Sequence, residues 1–96
     1  MPTHYEMPRF LRDFARLSPE QQRQILAAVA KFRRDLVGGH FRPGLRVKGV
    51  QGQPGVYEMT WAPDGRATFR YGDSIRGNDP HIIWERCGTH AIFDER

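Results

Sequence analysis

The sequence has only one cysteine and no long run of apolar residues. The single cysteine, Cys87, cannot form an intramolecular disulfide, so packing must stabilise the chain. A membrane span needs about 20 consecutive apolar residues, and the N-terminal segment lacks the charged-then-apolar profile of a secretion signal. These absences predict a cytoplasmic protein with no membrane partner.

The length limits the architecture. Ninety-six residues, of which 39% are hydrophobic, suffice for one small core and are too few for two. No repeat, low-complexity tract or linker divides the chain, so we expect a single domain over residues 1–96. A domain of this size leaves no room for a deep active site, and we expect any chemistry to occupy an open surface or a shallow groove.

Three familiar kinds of chemical site are missing from the sequence. Cys87 and His90 form a C-x-x-H pair, but no second pair follows at metal-ligand spacing, so we expect no metal ion and no cofactor. Gly49, Gly52 and Gly55 lead into a strand pattern rather than a helix, which excludes a phosphate-binding loop. The spacing indicates no catalytic triad either.

The charges favour an anionic partner. Fifteen basic residues against 11 acidic ones give a net charge of +4, and 13 of the 15 are arginine. The planar guanidinium suits phosphate and carboxylate recognition, although a GC-rich genome also yields many arginines. Residues 41–72 carry five basic and two acidic groups, and we expect an anion to be attracted there.

The hydrophobic pattern changes its period near residue 38. Before it, apolar residues recur at helical spacing in two stretches, 10–17 and 25–36, which predicts two helices. Ser18 and Gln21 form a capping box, with proline at the first helical position, and Gly38–Gly39 would end the second helix. Because only one or two residues separate the helices, we expect an antiparallel helical hairpin.

From residue 41 onward, alternating apolar and polar residues bounded by turn residues predict antiparallel strands. We place them near 44–50, 55–61, 66–72 and 81–87, with a short one near 90–93. This order of elements predicts an α+β fold, with the helical hairpin packed on one face of a twisted, mainly antiparallel sheet of four to five strands.

The other face of this sheet is predicted to be cationic. Alternation directs five charged side chains to it, near the C-terminal His90: Arg46, Lys48, Glu58, Arg66 and Arg70. A charged outer surface is also the ordinary state of a one-sided sheet, Glu58 could be a simple cross-strand partner, and His90 could be structural. Arginine, glutamate and histidine on one surface would nevertheless suit metal-independent cleavage of a phosphodiester by its own 2′-hydroxyl.

Four segments in a fixed order carry a likeness to a known family: FLRDFARLSPEQQRQILAAVAKFRRDL, LRVKGVQGQPGVYEMTW, GRATFRYG and IIWERCGTHAIFDE. Over nearly its full length the chain resembles the RelE/ParE superfamily of toxins from type II toxin–antitoxin pairs. The resemblance implies a helical hairpin on one face of a twisted sheet, an RNA-binding groove on the other, and a short strand at about Thr3–Met7. It also implies a cognate antitoxin as partner.

The resemblance further implies a ribosome-dependent mRNA endoribonuclease that inhibits translation. In that interpretation Arg66 contacts the scissile phosphate, His90 is a general acid or base, and Glu58 orients Arg66 or acts as the base. The RNA backbone would be held by Arg46, Lys48 and Arg70.

One position departs from the family pattern. Several members use a tyrosine near the end of the chain, where this sequence has Phe93, and phenylalanine has no exchangeable proton. The departure leaves open a non-catalytic function, either as a DNA gyrase-inhibiting toxin of the ParE type or as an inactive RelE-like binding module.

Overall fold

The computed structural model describes residues 2–94. Its helices and strands are β1 (Thr3–Glu6), α1 (Pro8–Arg16), α2 (Pro19–Gly38), β2 (Lys48–Gly49), β3 (Tyr57–Ala62), β4 (Gly65–Gly72) and β5 (His81–Thr89). The strands form one sheet in the order β1-β5-β4-β3-β2, antiparallel except for β1, which runs parallel to β5. Among residues 2–94, no helix is long and apolar enough to cross a bilayer.

The second helix begins and ends where the sequence predicts. Pro8 opens α1 after an extended Met7. At α2, the N–H of Gln21 donates to the hydroxyl of Ser18 at 3.1 Å, and the N–H of Ser18 donates to Gln21 Oε1 at 3.0 Å. Gly39 ends α2 in the left-handed region at φ 80°, where a side chain would be strained. The predicted capping box and glycine stop are confirmed.

The core lies between the helices and one face of the sheet, with α1 packed on β5 and α2 on β3. Phe32 of α2 is fully buried. Its ring meets Phe69 and Trp84 edge-on, with centroids 4.9 and 5.1 Å away. Met59 and Ala67 are buried beside them, as alternation predicts. The α+β fold with a helical hairpin on a mainly antiparallel sheet is therefore confirmed.

Two predicted strands take a different form. The strand predicted at 44–50 is reduced to Lys48–Gly49, because Pro43–Leu45 forms a 3-10 turn that ends at a left-handed Arg46. The strand predicted near 90–93 is the 3-10 helix His90–Asp94. The fifth strand is instead β1, which the family resemblance placed at about Thr3–Met7.

A β-bulge interrupts β5. Thr68 pairs with Arg86, whereas the next residue of β4 pairs with Trp84, so Glu85 is an extra residue in the ladder. The bulge shifts the alternation by one position. As a result Trp84 and Cys87, which are three residues apart, are both buried in the core.

Candidate functional site

The sheet surface opposite the helices is called the outer face here. One row of cross-strand neighbours crosses it from β2 to β5: Lys48, Glu58, Thr68 and Arg86. Glu58 and Thr68 are only 7% and 5% exposed. The middle of the outer face is therefore largely shielded from water, unlike an ordinary solvated sheet surface.

Arg66 and Glu58 form an ion pair on this face. Arg66 Nε lies 3.8 Å from Glu58 Oε1, and both side chains are largely buried. The Nη1 group of Arg66 also donates to the carbonyl oxygens of Gly65, Pro63 and Ala62 at 2.9, 3.2 and 3.3 Å. The turn between β3 and β4 and the carboxylate together hold the guanidinium in one orientation.

His90 lies beside the same turn, immediately after β5. Its backbone N–H donates to the carbonyl oxygen of Asp64 at 2.8 Å. The exposed imidazole contacts Phe93 edge-on, with ring centroids 4.9 Å apart. Within residues 2–94 the imidazole makes no hydrogen bond to Arg66 or Glu58. The structure thus brings Arg66 and Glu58 together and places His90 next to the turn that holds Arg66.

The three residues predicted to bind an RNA backbone are spread apart. Lys48 is exposed and lies opposite Glu58 in the β2–β3 register. Arg70 Nε donates to Glu85 Oε2 at 2.6 Å. Arg46 is exposed in the left-handed region after the 3-10 turn. Its predicted position on the outer side of a strand is wrong, because the alternation of side chains holds only within a strand.

A cavity of about 300 Å³ opens on the outer face, bordered by Glu85, the partner of Arg70, and by Thr68, the cross-strand neighbour of Glu58. Its lining consists of Met7, Arg9, Gln53, Thr68, Glu85, Arg86, Ile92 and Phe93. Glu85 and Arg86 are consecutive, and a regular strand would point them to opposite faces. The bulge allows both to line one cavity, as bulges do beside many active sites.

Sequence reasoning missed Asp13, Glu85 and Arg86. Asp13 is buried on α1, and its carboxylate accepts hydrogen bonds from Arg86 Nε at 2.8 Å and from the N–H of Cys87 at 3.2 Å. The sequence does indicate Asp13, because helical spacing places it on the core side of α1, three residues after Phe10. A carboxylate there needs a buried partner. No signal in the sequence marks the bulge.

Cys87 is not placed to act as a nucleophile. Burial raises the pKa of its thiol to about 12, and the negative charge of Asp13 acts in the same direction. A thiol with this pKa remains protonated at neutral pH, and only the thiolate is strongly nucleophilic. In the part of the chain that the structure describes, no group of three or more histidine, cysteine or carboxylate side chains could hold a metal ion.

No protein-family model and no curated protein matches the sequence. Solved structures do match. A chain of the E. coli DinJ–YafQ complex has a TM-score of 0.69 at 14% identity, over 99% of this chain and 100% of that chain. The YoeB/ParE toxin from Agrobacterium tumefaciens has a TM-score of 0.67 at 11% identity, over 92% and 98%. A chain of the RelB–RelE antitoxin–toxin complex from Methanococcus jannaschii has 0.60 at 14%, over 93% and 94%.

These neighbours define the class of fold. The chain has the α+β fold of the YafQ, YoeB/ParE and RelE toxin structures, along almost its entire length. The RelE-like fold predicted from the sequence is therefore confirmed. At these identities the likeness concerns the fold, and the roles of individual side chains must be argued from their own geometry.

Proposed function

We propose that the protein is the toxin of a type II toxin–antitoxin pair and that it cleaves mRNA on the ribosome without a metal ion. The observation that carries the proposal is the Arg66–Glu58 pair, held by the β3–β4 turn on the outer face next to an open cavity. The fold also supports the proposal, because it is similar to the fold of toxins, some of which were solved in complex with their antitoxins.

In the proposed reaction, the 2′-hydroxyl of the RNA attacks the adjacent phosphorus and the bond to the 5′-oxygen breaks. The hydroxyl proton passes to Glu58 as the base, and His90 as the acid gives a proton to the leaving 5′-oxygen. If His90 is instead the base, Glu58 orients Arg66 and the leaving oxygen takes its proton from solvent water. The products are a 2′,3′-cyclic phosphate and a 5′-hydroxyl. Arg66 stabilises the negative charge that develops on the phosphate oxygens.

The partners follow from the charges. Lys48 is exposed at the edge of the outer face, and together with Arg46 and Arg70 it would attract the RNA backbone. A cytoplasmic toxin would damage its own host, so we expect a cognate antitoxin whose acidic side chains cover this surface. The residues of the chain itself supply the proposed acid, base and charge stabilisation, and the proposal includes no cofactor.

A non-catalytic function is the second candidate, either as a DNA gyrase inhibitor of the ParE type or as an inactive RelE-like binding module. Two observations favour it. Phe93 has no exchangeable proton, and the Arg66 guanidinium already donates to three carbonyl groups of its own chain. A phosphate would have to compete with these acceptors.

The test is cleavage of an mRNA on programmed ribosomes by the wild type and by Arg66→Ala. We expect the variant to lose about 10²–10³-fold in rate, the usual loss for one charge-stabilising group. Arg34→Ala, an exposed arginine of α2 on the opposite side of the sheet, is the matched control and should cleave normally. Undiminished cleavage by Arg66→Ala would remove Arg66 from the mechanism. Growth arrest with intact mRNA and accumulating cleaved DNA would select the gyrase function.

A further inference from the structure

The cavity on the outer face is lined by both apolar and polar side chains, the combination that binds a nucleobase. Met7, Ile92 and Phe93 provide apolar surface, and Gln53 and Glu85 provide polar groups. RNA-binding proteins commonly stack an unpaired base on an aromatic ring and read its edge by hydrogen bonds. The volume of about 300 Å³ is at the lower end of the range for ligand pockets, which suits one base rather than a longer segment.

The aromatic wall lies next to the proposed catalytic histidine. Phe93 is half-buried, and its ring contacts His90 edge-on at 4.9 Å between centroids. A base that stacks on Phe93 would therefore bring its own ribose and phosphate close to His90. Thr68, which also lines the cavity, is the cross-strand neighbour of Glu58. The cavity is thus bordered by residues of the proposed mechanism on two sides.

The polar wall favours one base over the others. Glu85 Oε2 is fixed by Arg70 Nε at 2.6 Å, which orients the carboxylate and leaves lone pairs of its two oxygens for a ligand. An ionised carboxylate only accepts hydrogen bonds. Guanine is the base whose Watson–Crick edge presents two adjacent N–H donors, whereas adenine, cytosine and uracil each offer one donor group on that edge.

From these contacts we infer that the cavity binds a single nucleobase of the RNA, preferring guanine, by stacking on Phe93 and accepting its N–H groups at Glu85. The inference rests on the proposed RNA substrate. The bulge in β5 is what creates the site, because it directs Glu85 and Arg86 into the same cavity. Arg86 also lines the cavity, where Asp13 holds its guanidinium in place.

The test uses the intact chain and the four nucleoside 5′-monophosphates, followed by NMR. We expect guanosine monophosphate to shift the amide resonances of Thr68, Glu85 and Phe93, and to bind about tenfold more tightly than the other three. Glu85→Gln should abolish the preference for guanine. The control is Glu20→Gln, which changes a carboxylate of α2 that is also paired with an arginine, and it should retain the preference.

Phe93→Ala should weaken the binding of all four nucleotides by about tenfold, because every base has a face that stacks. Phe93→Leu, which keeps the apolar volume, should weaken it similarly while leaving the fold intact, so that loss of binding is not mistaken for unfolding. Equal affinity for the four nucleotides, or shifts confined to other surfaces, would overturn the inference.

The outcome separates this inference from the proposed function. If the wild type cleaves ribosomal mRNA while the nucleotides leave the cavity resonances unchanged, the nucleobase-binding inference is wrong and the proposed ribonuclease function is supported. If guanosine monophosphate binds in the cavity while the mRNA stays intact, the nucleobase-binding inference is supported and the proposed cleavage reaction is wrong.

Discussion

The carboxylate of Asp13 on α1 lies 2.8 Å from Nε of Arg86 on β5. β1 pairs with β5 only as far as Trp84, and beyond that point α1 borders the strand. The carboxylate accepts the N–H of Cys87, a backbone group that a longer β1 would otherwise reach. This ion pair joins the first helix to the strand that forms the proposed base site.

We expect Asp13→Ala to lower the free energy of unfolding by about 3 kcal/mol, because it removes the anion beside a largely buried guanidinium and the acceptor of a buried N–H. Urea denaturation measures the change. Glu20→Ala is the control: its pair with Arg23 is exposed, and we expect a loss of about 0–1 kcal/mol. Equal losses in the two variants would mean that the buried pair has no special role in stability.

Gly65→Ala should also destabilise the protein. A Cβ at this position would lie 2.5–2.7 Å from ring atoms of Trp61, and overpacking of this kind costs about 1–3 kcal/mol. Because Gly65 adjoins the β3–β4 turn and its carbonyl oxygen accepts a hydrogen bond from Arg66, cleavage should fall further than the loss of folded protein explains. Thermal melting and cleavage assays measure the two effects. Gly49→Ala, where the added Cβ meets open space, should leave both nearly unchanged.

The stability of the fold should decrease at alkaline pH because of Cys87. Burial raises the pKa of the thiol from 9.0 to about 12, so between these values the unfolded chain has lost a proton that the folded chain keeps. Cys87 therefore contributes its full stabilisation below pH 9, and this contribution falls by up to about 1.4 kcal/mol per pH unit as the pH rises toward 12. Denaturation across this range should show a steeper loss of stability in the wild type than in Cys87→Ala, which keeps the contribution of other groups such as Tyr71, whose pKa burial also raises.

RNA binding should weaken steeply as salt increases, because each phosphate contact releases counterions. Removing one contact with Lys48→Ala should reduce the slope of log K against log salt by about 0.7, the value for one phosphate of a single strand. The same measurement on Arg46→Ala tests whether a residue outside the strand still reaches the backbone. If neither variant changes the slope while Arg34→Ala does, the helical side rather than the outer face binds RNA.

Local sequence determined the helices and the two faces of the central strands. The capping box of Ser18 and Gln21 and the left-handed Gly39 depend on contacts within a few residues, so the sequence alone predicts them. The alternation that buries Met59 on β3 and Phe69 on β4 is likewise a local property of those strands. For the same reason, alternation alone is enough to assign the side chains of Glu58 and Arg66 to the outer face.

Tertiary structure alone decided where the chain departs from these local patterns. Arg46 has no place in a strand because β2 pairs with β3 through only two residues, and a strand exists only where a neighbour accepts and donates its hydrogen bonds. The bulge at Glu85 is a property of the register between β4 and β5, and the bond between Asp13 and Arg86 joins residues 73 positions apart. The cavity depends on the bulge, which directs Glu85 and Arg86 into it, and the bulge is set by how the strands pair and by no local sequence signal.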